Sequence, residues 1–317
     1  MKNFYIILIL ILSFTIFSCA KKEDEAASKT CTSSDVSFLA VGASGTLLTS
    51  ADGTCWTAQT SGTTNNLRAF AIKPSTIGVV VGFSGTILTT TDGTTWTSRT
   101  SGTSNDLNNV HYSSGLSGFV AVGDSGTLLT SSDGITWTDK TSSCGMTENL
   151  WSVSSNSTVA VAVGDNGSIY TSADSGDNCT KRTSGTTVEF NELLFGNSTF
   201  FALGNLGTIL TSDNGTSWNS RTSGTTNHLY GGIYSEKNAM VGGSGTVVYT
   251  EDNGTSWTSW SASSMTTDVF GIAYGSSTWV FVGRSGTIYT AGNDDNDVTA
   301  RTSGTTESLR RVYYLGE

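Results

Sequence analysis

The sequence predicts an all-β fold, a ring of seven four-stranded blades, and three observations predict it. One unit recurs, registered on a Val-Gly or Leu-Gly pair at Val41, Val81, Val122, Val163, Leu203, Val241 and Val282, with spacings of 40, 41, 41, 40, 38 and 41 residues. A period near 40 with strand-like content is the signature of a β-propeller, one blade per repeat. The composition agrees. Of 317 residues 37 are Gly, only Pro74 is Pro, and 13% are charged, so β-branched residues and turn formers dominate over helix formers. Finally, the strands balance. The chain opens at a second strand, "VSFLAVG" (36–42), and ends after a first strand, "LRRVYYLG" (309–316). Pairing the two completes a seventh blade and leaves no sheet edge open. A linear solenoid would instead need polar capping repeats, and "LRRVYYLGE" is not one.

Each repeat reads as four strands. "LRAFAI" (67–72) begins with Leu and alternates, and its equivalents start at Leu107, Leu150, Phe190, Leu229, Val269 and Leu309. "IGVVVG" (77–82) is almost continuously apolar, as a strand covered on both faces must be. "GTILTT" (85–90) follows a short Gly turn, a hairpin signal. "WTSRT" (96–100) is more polar and suits the outermost position, and a loop such as "SGTSND" leads to the next blade.

The first residues lie outside this pattern. Lys2 precedes the apolar run "FYIILILILSFTIF" (4–17), too short to span a bilayer comfortably and read as an export signal. It ends in "IFSCA", which resembles a bacterial lipoprotein signal with Cys19 as the lipidated residue. The expected organisation is therefore a signal over 1–18, a lipidated Cys19 and flexible tether over 19–34, and the propeller over 35–317. The resemblance implies a cell-envelope location, in the outer membrane given Ala20, with the lipid as the only membrane contact; without the lipid the chain would be secreted.

Between the third and fourth strands stands Ser/Thr-x-Asp-(x)-Gly-x-x-Trp, around Asp52, Asp92, Asp133, Asp213 and Asp252, followed by Trp56, Trp96, Trp137, Trp218 and Trp257. Asp accepts hydrogen bonds from the turn's own N–H groups, Gly takes a positive φ, and Trp covers the hairpin. Two copies decay: Asp174 and Gly176 are followed by Cys179, and "AGNDDNDV" ends in Val298. This turn resembles the Asp-box, or bacterial neuraminidase repeat. The whole unit "VGxxGTILxSxDGxxW" is similar to the propeller family of photosystem II stability/assembly factors and its bacterial relatives. The resemblance implies that these Asp residues are turn formers, not acids or metal ligands. It also implies a face that engages protein partners.

Little else carries chemistry. Arg99, Arg182, Arg221 and Arg301 share one outer-strand position explained by the repeat, and no Arg-Ile-Pro sialidase signature exists. Glycoside hydrolysis needs two carboxyl groups at a set separation; Asp106, Glu148, Glu189 and Asp268 lie near first-strand entries, and nothing selects a pair. His111 and His228 have no accompanying nucleophile, and no zinc spacing or phosphate loop is present. "NDDND" (293–297) is a weak Ca²⁺ candidate and is read as a degenerate copy of the Asp turn. No catalytic residue, metal or cofactor is expected. A net charge of −10 and pI near 4.6 argue against nucleic-acid binding. An exported chain permits disulfides. Cys31 and Cys55 fall at the same end of one blade and are expected to pair, whereas Cys144 and Cys179 fall at opposite ends, so joining them needs an unusual loop path.

Positions where the copies differ are freed from the common architecture. The second residue of the first strand is Arg68, Asn108, Trp151, Asn191, Tyr230, Phe270 and Arg310 in turn. These are expected near the rim of the central channel, with Arg68 beside Arg310 and Arg311, and with His228 nearby. Arg and aromatic residues are those most enriched at interface hot spots. The preferred reading is a lipid-anchored, non-enzymatic platform for an envelope protein partner, using Arg68, Arg310, Arg311, Trp151, Tyr230, Phe270 and His228. The alternative is a carbohydrate-binding or glycoside-hydrolase-like propeller that stacks glycan on the aromatic residues.

Overall fold

The computed structural model describes residues 36–116, 118–234, 238–260, 264–292 and 298–316. The expected signal, Cys19, the tether, Cys31 and the 293–297 run lie outside the described residues. The described chain forms seven four-stranded antiparallel sheets, the blades of a β-propeller. In blade 1 the strands are Leu67–Lys73, Ile77–Gly82, Thr86–Thr90 and Thr97–Arg99, from the channel outward. Blades 2 to 6 follow in chain order. Blade 7 closes the ring: its inner strand, Leu309–Tyr314, pairs with Phe38–Gly42 in the register Phe38↔Tyr314, Ala40↔Val312, Val41↔Arg311. The strand balance read from the sequence is thus the observed topology.

The recurring Val-Gly pair has a steric cause. At the end of each second strand the chain passes so close to the start of the inner strand that a side chain has no room; a Cβ on Gly82 would sit 2.2 Å from the Asn66 carbonyl oxygen. The core lies in the seams between blades. One seam packs Ala69, Val79, Val81 and Ile87 of blade 1 against Leu107, Val110, Phe119 and Leu129 of blade 2. Trp137 belongs to this seam, Trp218 to that between blades 3 and 4, and Trp257 to that between blades 4 and 5. The Trp therefore covers the joint with the preceding blade and not merely its own hairpin.

The Asp turns hold themselves. Asp133 Oδ1 accepts from the backbone N–H of Ile135 and Thr136, each at 2.8 Å, while Ser131 Oγ accepts from Gly134 N–H. These donors favour the charged carboxylate and depress the pKa of Asp92 and Asp133; those of Asp174 and Asp252 are lowered to about 2. In blade 4 the expectation needs correcting. Asn214, not Asp213, accepts from Thr216 and Ser217, because the repeat registers on the residue two past Ser212 and directly before Gly215.

Cys144 and Cys179 form a disulfide, with Cα atoms 4.8 Å apart. The unusual path comes from a local insertion. Trp137 to Gly145 spans 8 positions where Trp96 to Gly102 spans 6. The extra residues shorten the outer strand to Thr138–Asp139 and form one helical turn, Thr141–Cys144, that carries Cys144 toward the next blade. Cys179 occupies the Trp position of blade 3, so the disulfide stands in the seam between blades 2 and 3 where most other blades place a Trp. Cys55 is also disulfide-bonded, and its expected partner lies outside the described residues. The outer-strand arginines behave as the repeat suggests: Nε of Arg99, Arg182, Arg221 and Arg301 donates to Thr89, Thr171, Thr211 and Thr290 on the neighbouring strand.

Candidate functional site

The seven variable positions share a backbone feature that the sequence pattern does not reveal. In every blade the pairing register slips at the second residue of the inner strand, so Arg68, Asn108, Trp151, Asn191, Tyr230, Phe270 and Arg310 are each the extra residue of a β-bulge. A bulge leaves that residue out of the ladder and re-aims its side chain. Seven of them in register make a ring of side chains at one mouth of the channel.

Five of those side chains form a belt. The Arg68 guanidinium lies 4.6 Å from the Phe83 ring centroid and 5.6 Å from that of Trp151, two blades away. Arg310 lies 4.7 Å from Phe270, which meets Tyr230 edge-on at 5.3 Å. His228 stacks loosely on Tyr230 at 6.0 Å. Trp151 Nε1 donates to Asp165 Oδ1 at 2.6 Å, and Asn108 donates to Asp124 at 2.8 Å. The mouth is polarised in consequence. Arg284, Arg310 and Arg68 stand on blades 6, 7 and 1, and Asp124, Asp165 and Glu189 on or before blades 2 to 4.

Arg68 and Arg310 have no carboxylate partner among the described residues, and Arg68 Nε is buried without a hydrogen bond. Burial first, then the charges of Arg310 and Arg311, push the Arg68 pKa down to about 10; Asp106 and Asp124 offset part of this. Arg310 is lowered in the same way by burial and by Arg311 and Arg284. Two guanidinium groups on adjacent blades are therefore partly desolvated over ring faces without a direct carboxylate partner, an arrangement that favours an arriving anion.

Arg311 stands apart from this belt. Its side chain turns into the channel, pairs with Glu192 of blade 4, and donates through Nη1 to the carbonyls of Tyr230 (3.1 Å) and Phe270 (3.0 Å). Ser152 Oγ donates to the other Glu192 oxygen at 2.9 Å. The strut passes over blades 5 and 6, where the corresponding residues are Gly231 and Gly271. A Cβ on Gly271 would lie 2.9 Å from Arg311 Cα. Arg311 and Glu192 thus close the channel below the mouth. Glu192 was not anticipated from the sequence; its signal was being the only long residue, besides Arg311, among the third residues of the inner strands.

Of the other carboxylates near the mouth, Asp106, Asp268 and Glu148 are engaged structurally. Asp106 accepts from Ser84 N–H at 2.8 Å and Asp268 from Ser244 N–H at 3.1 Å, and Asp268 also pairs with Arg284. His228 Nδ1 accepts from Leu206 N–H at 3.4 Å in the equivalent place. Glu148 pairs with Lys181 and accepts from Tyr170 OH, which lowers its pKa to about 2. Glu189 is partly buried, and burial raises its pKa. His111 packs inside, with Nε2 3.0 Å from Ser155 Oγ, and burial lowers its pKa to about 4. Among the described residues no three His, Cys, Asp or Glu side chains gather as a metal site.

No family model and no curated protein matches the sequence. Among solved structures, the chain is similar to YCF48 bound to D1 peptide, with a TM-score of 0.66 and 18% identity over 82% of this chain and 90% of that one. YCF48 from Cyanidioschyzon merolae gives 0.57 and 16%, over 77% and 85%. The computationally designed Ika8 protein gives 0.56 and 12%, over 78% and 90%. At these identities the likeness is one of fold: the chain is a seven-bladed β-propeller similar in architecture to YCF48.

Proposed function

We propose that this protein is an exported, lipid-anchored, non-enzymatic Asp-box propeller that serves as a scaffold at the cell envelope and binds a segment of a protein partner over the channel mouth. The observation that carries the reading is the pair of guanidinium groups without a direct carboxylate partner among the described residues, Arg68 and Arg310, set among Phe83, Trp151, Tyr230 and Phe270. Such a cup takes a carboxylate, with apolar side chains beside it, from an extended acidic segment. The fold likeness to a propeller solved with a bound peptide supports the same kind of use. The anchor reading rests on "IFSCA" and Cys19, and the outer-membrane assignment on Ala20. The non-enzymatic reading is supported by the engagement of Asp106, Asp268 and Glu148 in turns and ion pairs.

The test is cross-linking of the anchored protein in its native membranes, beside an Arg68→Ala/Arg310→Ala version, with identification of what is attached. Arg311 is left intact because its side chain belongs to the strut. A discrete protein that disappears in the variant supports the scaffold reading. Recovery of polysaccharide alone, or of partners indifferent to both arginines, overturns it. Cys19→Ala should abolish incorporation of radiolabelled palmitate, and retention of the label would refute the anchor.

A further inference from the structure

At the mouth each blade is joined to the next by one repeated bond. The residue directly before an inner strand accepts from the backbone N–H at the tip of the preceding blade's Gly turn, as Asn149 does from Ser125 at 2.9 Å and Asp268 from Ser244 at 3.1 Å. Six of the seven joints close in this way. The joint between blades 3 and 4 does not. Glu189 stands in the acceptor position opposite Asn166, and its longer side chain makes no such bond. Among the described residues its carboxylate has neither a hydrogen bond nor an ion pair; burial first, then the charge of Asp165, push its pKa up, and His228 offsets part of this.

A second departure adjoins the first. The tip of the Gly turn has φ of 51–55° in all seven copies, and Ser or Asn fills it in six. Short polar residues tolerate that left-handed conformation through local hydrogen bonds, whereas a Leu is disfavoured there. Blade 4 nevertheless carries Leu206, the most exposed large apolar side chain among the described residues at 64%. It borders an open groove with Thr186, Trp218 and Thr225 and gains little burial in return for its backbone. The neighbouring Asn205 N–H donates to the Glu189 carbonyl at 3.0 Å, so Leu206 and Glu189 share one corner of the mouth. That corner lies on blade 4, across the ring from Arg310 and Arg68 on blades 7 and 1.

We propose that this corner is a second contact for the partner segment and takes a lysine or arginine side chain, its aliphatic stem along Leu206 and its charge at Glu189. The inference rests on the reading of the mouth as a protein-binding face and adds a sign pattern to it: an acid for Arg68 and Arg310, a base for blade 4. Long basic side chains bury their stems on apolar surface while the charged head meets a carboxylate. A wholly acidic segment would instead bring its own carboxylates against Glu189 and Asp165, and like charges brought together across an interface repel. Neither departure serves the fold. Glu189→Asn restores the acceptor used at Asn66 and Asn149, and Leu206→Asn restores the residue that blade 3 has at Asn166.

The test uses the full mature chain and a displayed library of random peptides, selected in parallel on the wild type, on Glu189→Asn/Leu206→Asn and on Arg68→Ala/Arg310→Ala. Peptides selected on the wild type should carry an acidic and a basic residue together. The blade 4 variant should keep the acidic preference and lose the basic one, and the arginine variant should do the reverse. In calorimetry a selected peptide should bind Glu189→Asn about fivefold more weakly than the wild type, whereas its form with Gln in place of the basic residue should bind both alike. Melting separates this role from one in folding: Glu189→Asn and Leu206→Asn should each keep the melting temperature or raise it by up to about 4 °C. An acidic preference without a basic one, or a basic preference indifferent to Glu189→Asn/Leu206→Asn, overturns the second contact and leaves the mouth reading standing. Absence of an acidic preference, or of any selected peptide, overturns both. A fall in melting temperature in either variant assigns the side chain to the fold and overturns the proposal.

Discussion

Removing Arg311 should destabilise the propeller in a way that depends on pH, and the structure fixes both the size and the sign. In Arg311→Met the ion pair to Glu192 and two hydrogen bonds to the carbonyls of Tyr230 and Phe270 are lost. Glu192 is left buried with Ser152 as its main remaining partner. Breaking a buried pair on one side costs about 3–5 kcal/mol. For a domain of this size each kcal/mol moves the melting temperature by about 2–4 °C, so a fall of roughly 10 °C is expected at neutral pH. Burial already raises the Glu192 pKa, and Arg311 is the charge that pulls it down. Without Arg311 it rises further. A carboxyl whose folded pKa exceeds its unfolded value of about 4.3 binds more protons when folded, so stability falls as pH rises through that window. The deficit of the variant should therefore be largest near pH 7–8 and shrink toward pH 4.5. Melting followed by near-ultraviolet circular dichroism across that range, with tryptophan fluorescence as a second probe of the same transition, reads this directly. Glu192→Gln/Arg311→Met should recover at least half of the loss, since no buried charge remains. A pH-independent deficit, or a double variant as unstable as the single one, would refute the strut.

The other expectations concern the blades. Asp252 is held near pKa 2 first by the Ser256 hydroxyl and N–H and then by Thr250; its contribution is complete above about pH 4 and lost as pH falls toward 2. Asn214 does the same work in blade 4, so Asp252→Asn should keep the blade and remove this acid sensitivity. Asp252→Ala should lose it at every pH, as followed by Trp257 fluorescence during acid titration. Cys144→Ser/Cys179→Ser should cost about 2–4 kcal/mol in urea unfolding. Cys144→Ser/Cys179→Trp, which rebuilds the seam plate found in other blades, should be the more stable of the two. Gly271→Ala places a methyl against the Arg311 backbone and should cost about 1–3 kcal/mol; a neutral effect would show that the strands part more easily than the close approach implies.

The fold was legible because a propeller repeats its instructions. Val79, Val81 and Phe119 must fill seams, Gly82 must admit a carbonyl, and Gly134 must turn, so these types recur at fixed spacing and can be counted. Even the closure by Leu309–Tyr314 followed from counting. What the repeat does not specify was harder to read. The bulge at Arg68 and its equivalents comes from the closeness of consecutive backbones and has no composition of its own. The Cys144–Cys179 bond depends on a two-residue insertion whose path only the folded loop reveals. In blade 4 the choice between adjacent Asp213 and Asn214 turned on a one-residue register, the finest distinction that pattern reading makes. Glu192 was invisible as half of a pair, because its partner stands 119 positions away in a strand that closes the ring.

Arg310 and Arg311 show why departures from a repeat must be sorted before they are read as function. They are neighbours in sequence and both break the pattern of their strand. Arg310 is the bulged residue, outside the ladder and facing the mouth, and no carboxylate meets it among the described residues. Arg311 is a paired residue facing the channel, and its charge and its hydrogen bonds are met by Glu192 and two carbonyls. The first leaves an electrostatic cost that folding alone does not offset, and the second offsets its own. Only the first kind enters the proposed binding site. By the same measure Arg284, satisfied by Asp268, is architecture, whereas Arg68, with its buried and unbonded Nε, belongs with Arg310. That criterion reduces a scatter of basic residues on an acidic protein to two side chains on adjacent blades, each set over aromatic rings.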